Sequence, residues 1–233
     1  MDIDYTNYYR DREYQESEKL FKNIFKKRLK IINKFIKFPR TVLDIGCSNG
    51  IFLDLFSNSE TWGVEPSENY KIAFSKNHKV VNTSFEKARL PEKYFDLVIM
   101  NHTLEHVVDA DIVLAKIYRI LKSGGILFID VPNAGGLGSK ILKDKWPYKL
   151  PNEHNYQFTK ESLSKVVETS GFKILHRESR SGLFEVSNPI LELWQSLITF
   201  KKRFLINLLT IPHSLFSTLL NKGDSMSLVA KKE

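Results

Sequence analysis

The residue order predicts an α/β fold: a parallel sheet with helices packed on both faces. Three observations lead there. Short apolar runs rich in branched and aromatic residues alternate with helix-like stretches. The first of these runs, "TVLDIG" (Thr41–Gly46), opens into a loop bounded by Gly46 and Gly50, and the second, "TWGVE" (Thr61–Glu65), ends on a carboxylate.

The bulk composition sets the frame. A chain of 233 residues with 42% apolar side chains has enough material for one domain with its own core, which excludes a disordered chain. A single cysteine, Cys47, excludes an internal disulfide framework and suits a reducing compartment. The polar, charged start, "MDIDYTNYYRDREYQESEK", has neither a signal-peptide nor a transit-peptide pattern, so the cytoplasm is the expected location. No internal repeat or low-complexity tract is visible. The net charge of +8 is local: nine Lys/Arg and no acid lie between Lys19 and Arg40, so the remainder is close to neutral. Phe21, Phe25, Ile32 and Ile36, with Ile24, Ile31 and Phe35 beside them, recur there at roughly helical spacing. This amphipathic basic helix either docks on the core with a solvated lysine face or offers a surface to acidic lipid, a phosphorylated substrate or nucleic acid.

Further strands are predicted at "KVVNT" (Lys79–Thr83), "YFDLVIM" (Tyr94–Met100) and "GILFIDVP" (Gly125–Pro132). Helices are expected near Phe52–Phe56, Ser67–Lys76 and Asp109–Leu121, the last one stopped by "KSGG". "FTKESLSKVVETSGF" reads as a helix with Thr159 as its N-cap and Gly171 as its stop. "FKILHRES" (Phe172–Ser179) is a sixth strand and "MSLVAKK" (Met226–Lys232) a last one. Between them, Phe204 to Asn221 carries no formal charge and follows Lys201, Lys202 and Arg203. Asn207, Pro212, His213 and several Ser/Thr argue against a membrane span, leaving a packed helical hairpin, an interfacial membrane anchor or a dimer face. The expected organisation is a helical cap over 1–40, a core over 41–179 and 226–233, and a helical insertion over 180–225 within the same domain.

The glycine-bounded loop lets the backbone turn sharply and approach a ligand at a helix N-terminus. The G-x-G-x-x-G dinucleotide pattern is not met, because positions 48 and 51 are Ser and Ile; D-x-G-x-x-x-G, with Asp44 at the strand end, is what fits. Glu65 in "GVEPS" can accept hydrogen bonds from both hydroxyls of a ribose.

With "VLDIGCSNG", "GVEPS", "YFDLVIMNHTLEHV", "ILKSGGILFIDVPN" and "NEHNYQFTKESLSKVVETSGF", the chain resembles the class I S-adenosylmethionine-dependent methyltransferases over roughly Val42 to Phe172. More narrowly, it resembles their type 11/23 small-molecule group. The resemblance implies a Rossmann-like, doubly wound seven-stranded sheet with the last strand antiparallel, and S-adenosyl-L-methionine as the cofactor. It also implies that the loop carrying Gly46, Cys47, Ser48 and Gly50, below Asp44, faces the methionine part. Glu65 would then hold the ribose, Pro66 and Ser67 would border the adenine, and Ser84, Phe85, Asn101 and His102 would complete the cofactor site. Two departures stand out. Ser48 replaces the usual middle glycine, which costs strain if that residue needs a positive φ. In "NTSFEK", Ser84 or Glu86 would have to replace the usual acid near the adenine.

An acceptor hydroxyl needs a base to remove its proton. His106, after the fourth strand, is the first candidate, and His154 in "LPNEHNYQFT" the second. His102, Glu105 and His106 spell H-x-x-E-H, a zinc-peptidase signature, but His102 follows an apolar strand instead of sharing a helical face with His106. No metal is expected, with Glu105 and His106 as the fallback pair by analogy with the Glu-x-x-Glu-His cation segment of some quinone-biosynthesis O-methyltransferases. The asparagine-proline-proline-aromatic motif of amino-methylating nucleic-acid enzymes is absent, which favours an oxygen acceptor.

The expected activity is O-methylation of a small molecule, a sugar or glycan precursor, or a lipid-linked acceptor. A quinone-type acceptor, an RNA acceptor suggested only by the basic helix, and a non-catalytic cofactor-binding scaffold are the alternatives. Peripheral membrane contact is expected through 19–40 and 190–221.

Overall fold

In the computed structural model, which describes residues 17–198 and 202–233, seven strands form one sheet in the order β3-β2-β1-β4-β5-β7-β6. They are β1 (Thr41–Ile45), β2 (Glu60–Val64), β3 (Lys79–Val81), β4 (Phe95–Asn101), β5 (Leu121–Pro132), β6 (Phe172–Arg180) and β7 (Ser225–Lys232). Strands β1 to β5 pair in parallel, whereas β7 runs antiparallel to both β5 and β6. The chain winds outward from β1 to β3, then returns to place β4 on the other side of β1. The crevice at the carboxyl ends of β1 and β4 is therefore the topological switch point, where sheets of this kind take ligands.

The alternation of a strand divides the core. Val98 and Met100 of β4 join Leu127, Ile129, Leu114, Ile117, Leu163 and Val167 on one face. Leu97 and Ile99 join Phe128, Val229, Phe25, Ile31 and Ile32 on the other. The described helices are α1 (Glu18–Ile32), α2 (Tyr70–Ser75), α3 (Ala110–Ile120), α4 (Leu137–Leu142), α5 (Lys160–Thr169), α6 (Pro189–Ile198) and α7 (Lys202–Leu219). Asp109 caps α3 by accepting from the Ile112 N–H at 3.0 Å. Thr159 and Ser162 form a capping box on α5, and Gly171, at φ +89°, turns the chain out of it.

Three expectations change. The helix expected near Phe52–Phe56 is a single 3₁₀ turn, Leu53–Leu55. The polar "SNSE" that leads into β2 leaves little chain for a longer helix, and α1 covers the sheet in its place: Phe25 stacks on Phe52 at 4.7 Å, and Phe52 meets Phe128 edge-on. Strand β5 begins earlier than the expected Gly125, so the "KSGG" that stops α3 already belongs to it. Leu121 pairs directly with Phe95, and the register shifts before Leu97 meets Ile126 while Gly124 takes φ +76°. The third change concerns the basic helix, whose cations do not all face water. Arg28 is 1% exposed and reaches the Asp130 carboxylate at 3.1 Å, the Glu185 carboxylate at 3.1 Å and the Glu185 carbonyl at 2.7 Å. Of the expected 1–40 cap, residues 1–16 lie outside the described residues, as does Lys201.

Asp130 is fully buried at the end of β5 and gathers Arg28, Arg180, Ser225 and Ser227 around its two oxygens. Burial opposes its ionisation, yet the Arg180 and Arg28 guanidinium groups hold its carboxyl far below the usual carboxylate range. Removing one member of such a cluster strands the others without compensation. Asp130→Ala should therefore cost about 3–5 kcal/mol of unfolding free energy, read by denaturant titration at neutral pH. Because the folded carboxyl titrates below the unfolded one, its contribution is complete at neutral pH. The gap to Asp130→Asn should narrow as the pH falls below about 4. Equal stability of wild type and Asp130→Ala would remove Asp130 as the keystone.

Candidate active site

Strand β1 is buried along its whole length and delivers Asp44 to the switch point at 4% exposure. Gly46 follows at φ +77°, and a Cβ there would meet Thr103 Oγ1 at 2.6 Å, so only glycine lets the β1 loop lie against the β4 exit. Ser48 does take a positive φ, +45°. The unfavourable backbone is held by two bonds: its N–H donates to Glu65 Oε2 at 2.8 Å, and its hydroxyl accepts from Asn69 Nδ2 at 2.9 Å. Glu65 Oε1 accepts from the Ser67 N–H at 2.8 Å. Each carboxylate oxygen has a further lone pair, so Glu65 can still accept from two hydroxyls. Cys47 is buried, and burial pushes its thiol up; it serves as packing beneath the loop.

Several acceptors at this edge lack donors. Asp44 Oδ1, Asn49 Oδ1 and Asn101 Oδ1 are buried without a hydrogen bond. Burial, with the Glu65 carboxylate next to it, pushes the Asp44 carboxyl well above the usual carboxylate range. A ligand that brings an ammonium group, hydroxyls and a positive sulfur supplies the missing donors and charge. S-adenosylmethionine has that inventory, and Asp44, Glu65, Asn49 and Asn101 are the residues that could hold it.

The β4 exit builds the other wall. Thr103 donates to the Ile45 carbonyl at 2.9 Å, and the His102 N–H donates to the Asp130 carbonyl at 2.7 Å, with His102 at φ +53°. The His102 ring turns toward Glu105, 3.3 Å away, and Asp130, 3.6 Å away, and stacks beside Tyr148. Leu104–His106 is one 3₁₀ turn, so His102 and His106 share no helical face and the peptidase arrangement is not built. Glu105 is 1% exposed; burial opposes its ionisation, but His102 and His106 beside it hold its carboxyl below the ordinary value. The His106 ring meets the buried His154 ring edge-to-face at 4.7 Å, and its Nδ1 lies 3.0 Å from the Glu153 carbonyl. Ligand atoms of Glu105, His106 and His154 all fall within 4.8 Å of one another, a spacing that one divalent cation could bridge. The fallback pair of the sequence thus gains His154 as a third member.

Ser84 starts a turn that bonds to Ala88, and the Phe85 side chain is committed to the core while its carbonyl accepts from Lys116 Nζ. Asn82, unnoticed in the sequence, donates to the Glu65 and Pro66 carbonyls at 2.8 and 3.2 Å and so fixes the acidic corner. Thr103, Asn69 and Glu153 were also missed; their contributions are contacts between segments distant in sequence, which no local pattern announces.

A methyltransferase-domain family matches residues 12–177. Among curated relatives, the chain is 26% identical over 168 residues to a ubiquinone biosynthesis O-methyltransferase of Mesorhizobium japonicum, covering 66% of each. The chain therefore spans about two thirds of that relative's length. A SAM-dependent methyltransferase from Archaeoglobus fulgidus superposes with a TM-score of 0.64 at 24% identity, over 94% of this chain and 99% of that one. Phosphoethanolamine N-methyltransferase 2 of Haemonchus contortus, in complex with S-adenosyl-L-methionine, gives 0.67 at 19% identity, over 99% of this chain and 60% of that one. At these identities the two structures show the fold.

The acidic corner makes a direct demand on S-adenosylmethionine. A hydrogen bond to a charged group is worth about 1.5–3 kcal/mol, so Asp44→Asn should weaken binding roughly ten- to hundredfold. Seating an ammonium group against the raised Asp44 carboxyl releases its proton, so wild-type affinity should rise with pH. Calorimetry in buffers of different ionisation heat reads both effects, and wild-type affinity in the variant would take Asp44 out of the site. Sheet order, loop and family match agree: the chain belongs to this methyltransferase-domain family and is a class I S-adenosylmethionine-dependent methyltransferase.

Proposed function

We propose that the enzyme methylates a hydroxyl oxygen of a small or lipid-linked acceptor, with His106 taking the proton. The observation that carries this reading is the 3.0 Å contact from His106 Nδ1 to the Glu153 carbonyl. A carbonyl only accepts, so Nδ1 holds the ring proton and the Nε2 lone pair is left for the acceptor. Buried Glu105, whose carboxyl the neighbouring His102 holds below its ordinary value, stabilises the imidazolium that forms. S-adenosylmethionine supplies a methyl group already activated on sulfur. The chain's part is to align the acceptor, exclude water and remove one proton. His154 supports the ring of His106 and is the second candidate base. The intact Gly46–Gly50 loop and Glu65 speak against a non-catalytic scaffold. The relative's name favours a phenolic, quinone-precursor acceptor over a glycan precursor.

The Glu105–His106–His154 cluster favours one second reading, in which a divalent cation binds the acceptor oxygen and lowers its pKa. The two readings separate by chelation. With His106 as base, exhaustive chelation leaves turnover unchanged; with a cation, turnover is lost and returns on adding the metal.

For the base, removing a positioned proton acceptor costs about 10²–10⁴ in rate. His106→Gln should show that loss in kcat while S-adenosylmethionine affinity stays within about twofold of wild type. A panel of catechols, sugar nucleotides and amines, offered with isotope-labelled methyl donor, should put the label on oxygen. Label on nitrogen, or an unchanged rate in His106→Gln, would sink the proposal.

A further inference from the structure

We propose that α6 and α7, flanked by the lysine row of α1, form a face that lies on an anionic lipid bilayer. From Leu208 on, helix α7 is inverted relative to a surface helix in water. Ser214 and Ser217 point inward at 2% and 0% exposure, whereas Leu209, Phe216 and Leu219 face outward at 79%, 60% and 75%. A surface helix of a water-soluble domain turns its apolar stripe to the core. The inversion is fixed by bonds on the inner side: Thr218 Oγ1 accepts from the Ser181 N–H at 3.1 Å, Asn221 Oδ1 from the Ser179 N–H at 2.6 Å, and His213 Nε2 meets Asp224 at 3.1 Å. Rolling the helix over would break all three. Helix α6 extends the outward apolar surface with Ile190 at 81% and Trp194 at 60%.

Charge selects the occupant. Lys19, Lys22, Lys26 and Lys30 are exposed and recur at three- and four-residue spacing, one row along α1. This helix lies against the approach to α6: the Ser187 N–H donates to the Asn23 carbonyl at 3.1 Å, and Lys30 Nζ reaches the Ser187 carbonyl at 3.5 Å. Cations beside an apolar helical face are what an interfacial element presents to acidic headgroups and the acyl boundary. A symmetric pair of copies meeting through this face would bring two lysine rows together, and a nucleic acid would leave the leucines facing water. No described helix is long and apolar enough to cross a membrane, so the face lies on the bilayer. Helix α7 leads into β7, whose Ser225 pairs with Pro132 at the carboxyl end of β5. The face therefore ends at the edge that carries the active site, where a lipid-held acceptor would arrive.

The test is flotation of the full chain with phosphatidylcholine vesicles, with and without phosphatidylglycerol. Wild type should bind the anionic vesicles, less so at high salt. The triple variant Leu209→Ser, Phe216→Ser, Leu219→Ser and the double variant Lys22→Glu, Lys26→Glu should each lose about tenfold or more in partitioning. Unchanged S-adenosylmethionine affinity shows that both variants are folded. Failure of wild type to bind, or wild-type binding by either folded variant, overturns the proposal. So does a dimer in ultracentrifugation that the triple variant dissolves while vesicles are ignored, because the face then belongs to a second copy.

Discussion

The buried carboxylate of Asp130 is the constraint on which the rest of the molecule depends. Its oxygens draw in Arg28 from α1, Arg180 from the end of β6, and Ser225 and Ser227 from β7, while its backbone carbonyl takes the His102 N–H. One side chain thus ties the cap helix, the antiparallel edge of the sheet and the β4 exit to a single point. Two guanidinium groups can be buried there because their counterion is central and because Glu185 and Glu178 supply further negative charge. A buried ion cluster is an uncertain source of net stability, but it is intolerant of any other arrangement of its members. That intolerance explains how a short loop after β4 is held steady enough to position chemistry.

The two walls of the crevice follow from this anchoring. On the β1 side, unsatisfied acceptors and a raised carboxyl make a site that is incomplete without a cationic, hydroxyl-bearing ligand. On the β4 side, a histidine whose tautomer is set by a backbone carbonyl stands beside a second histidine and a buried carboxylate. Thr103 and Gly46 join the walls so closely that no side chain fits at position 46. In the proposed reaction, donor and acceptor would be brought together by this backbone geometry, which costs no reorganisation when they react.

Much of the cofactor wall was legible in the sequence, because a strand, a glycine loop and a strand-terminal acid are local patterns. The antiparallel direction of the last strand came only with the family resemblance, and its place between β5 and β6 only with the structure. What escaped was long-range. Arg28 looks like one more cation in a lysine-rich helix, and nothing near it in sequence reveals a partner 102 residues away. The helix after the loop shrank to a 3₁₀ turn because α1, from elsewhere in the chain, took its place on Phe52. The apolar stripe of α7 was visible in outline, but periodicity gives a stripe and not its direction; only the inward bonds of Thr218 and Asn221 show that it faces out. His106 and His154 were each expected at the sheet edge, and the structure brings both of them together with the buried Glu105.

The central claim is that the β1 wall seats the methyl donor facing the His106 wall. A crystal structure with S-adenosylhomocysteine tests it most directly. The account predicts the amino group of the ligand hydrogen-bonded to Asp44, its ribose hydroxyls on Glu65, and its sulfur turned toward His106 and His154. A ligand bound with Glu65 away from the ribose, or with its sulfur facing away from both histidines, would contradict it.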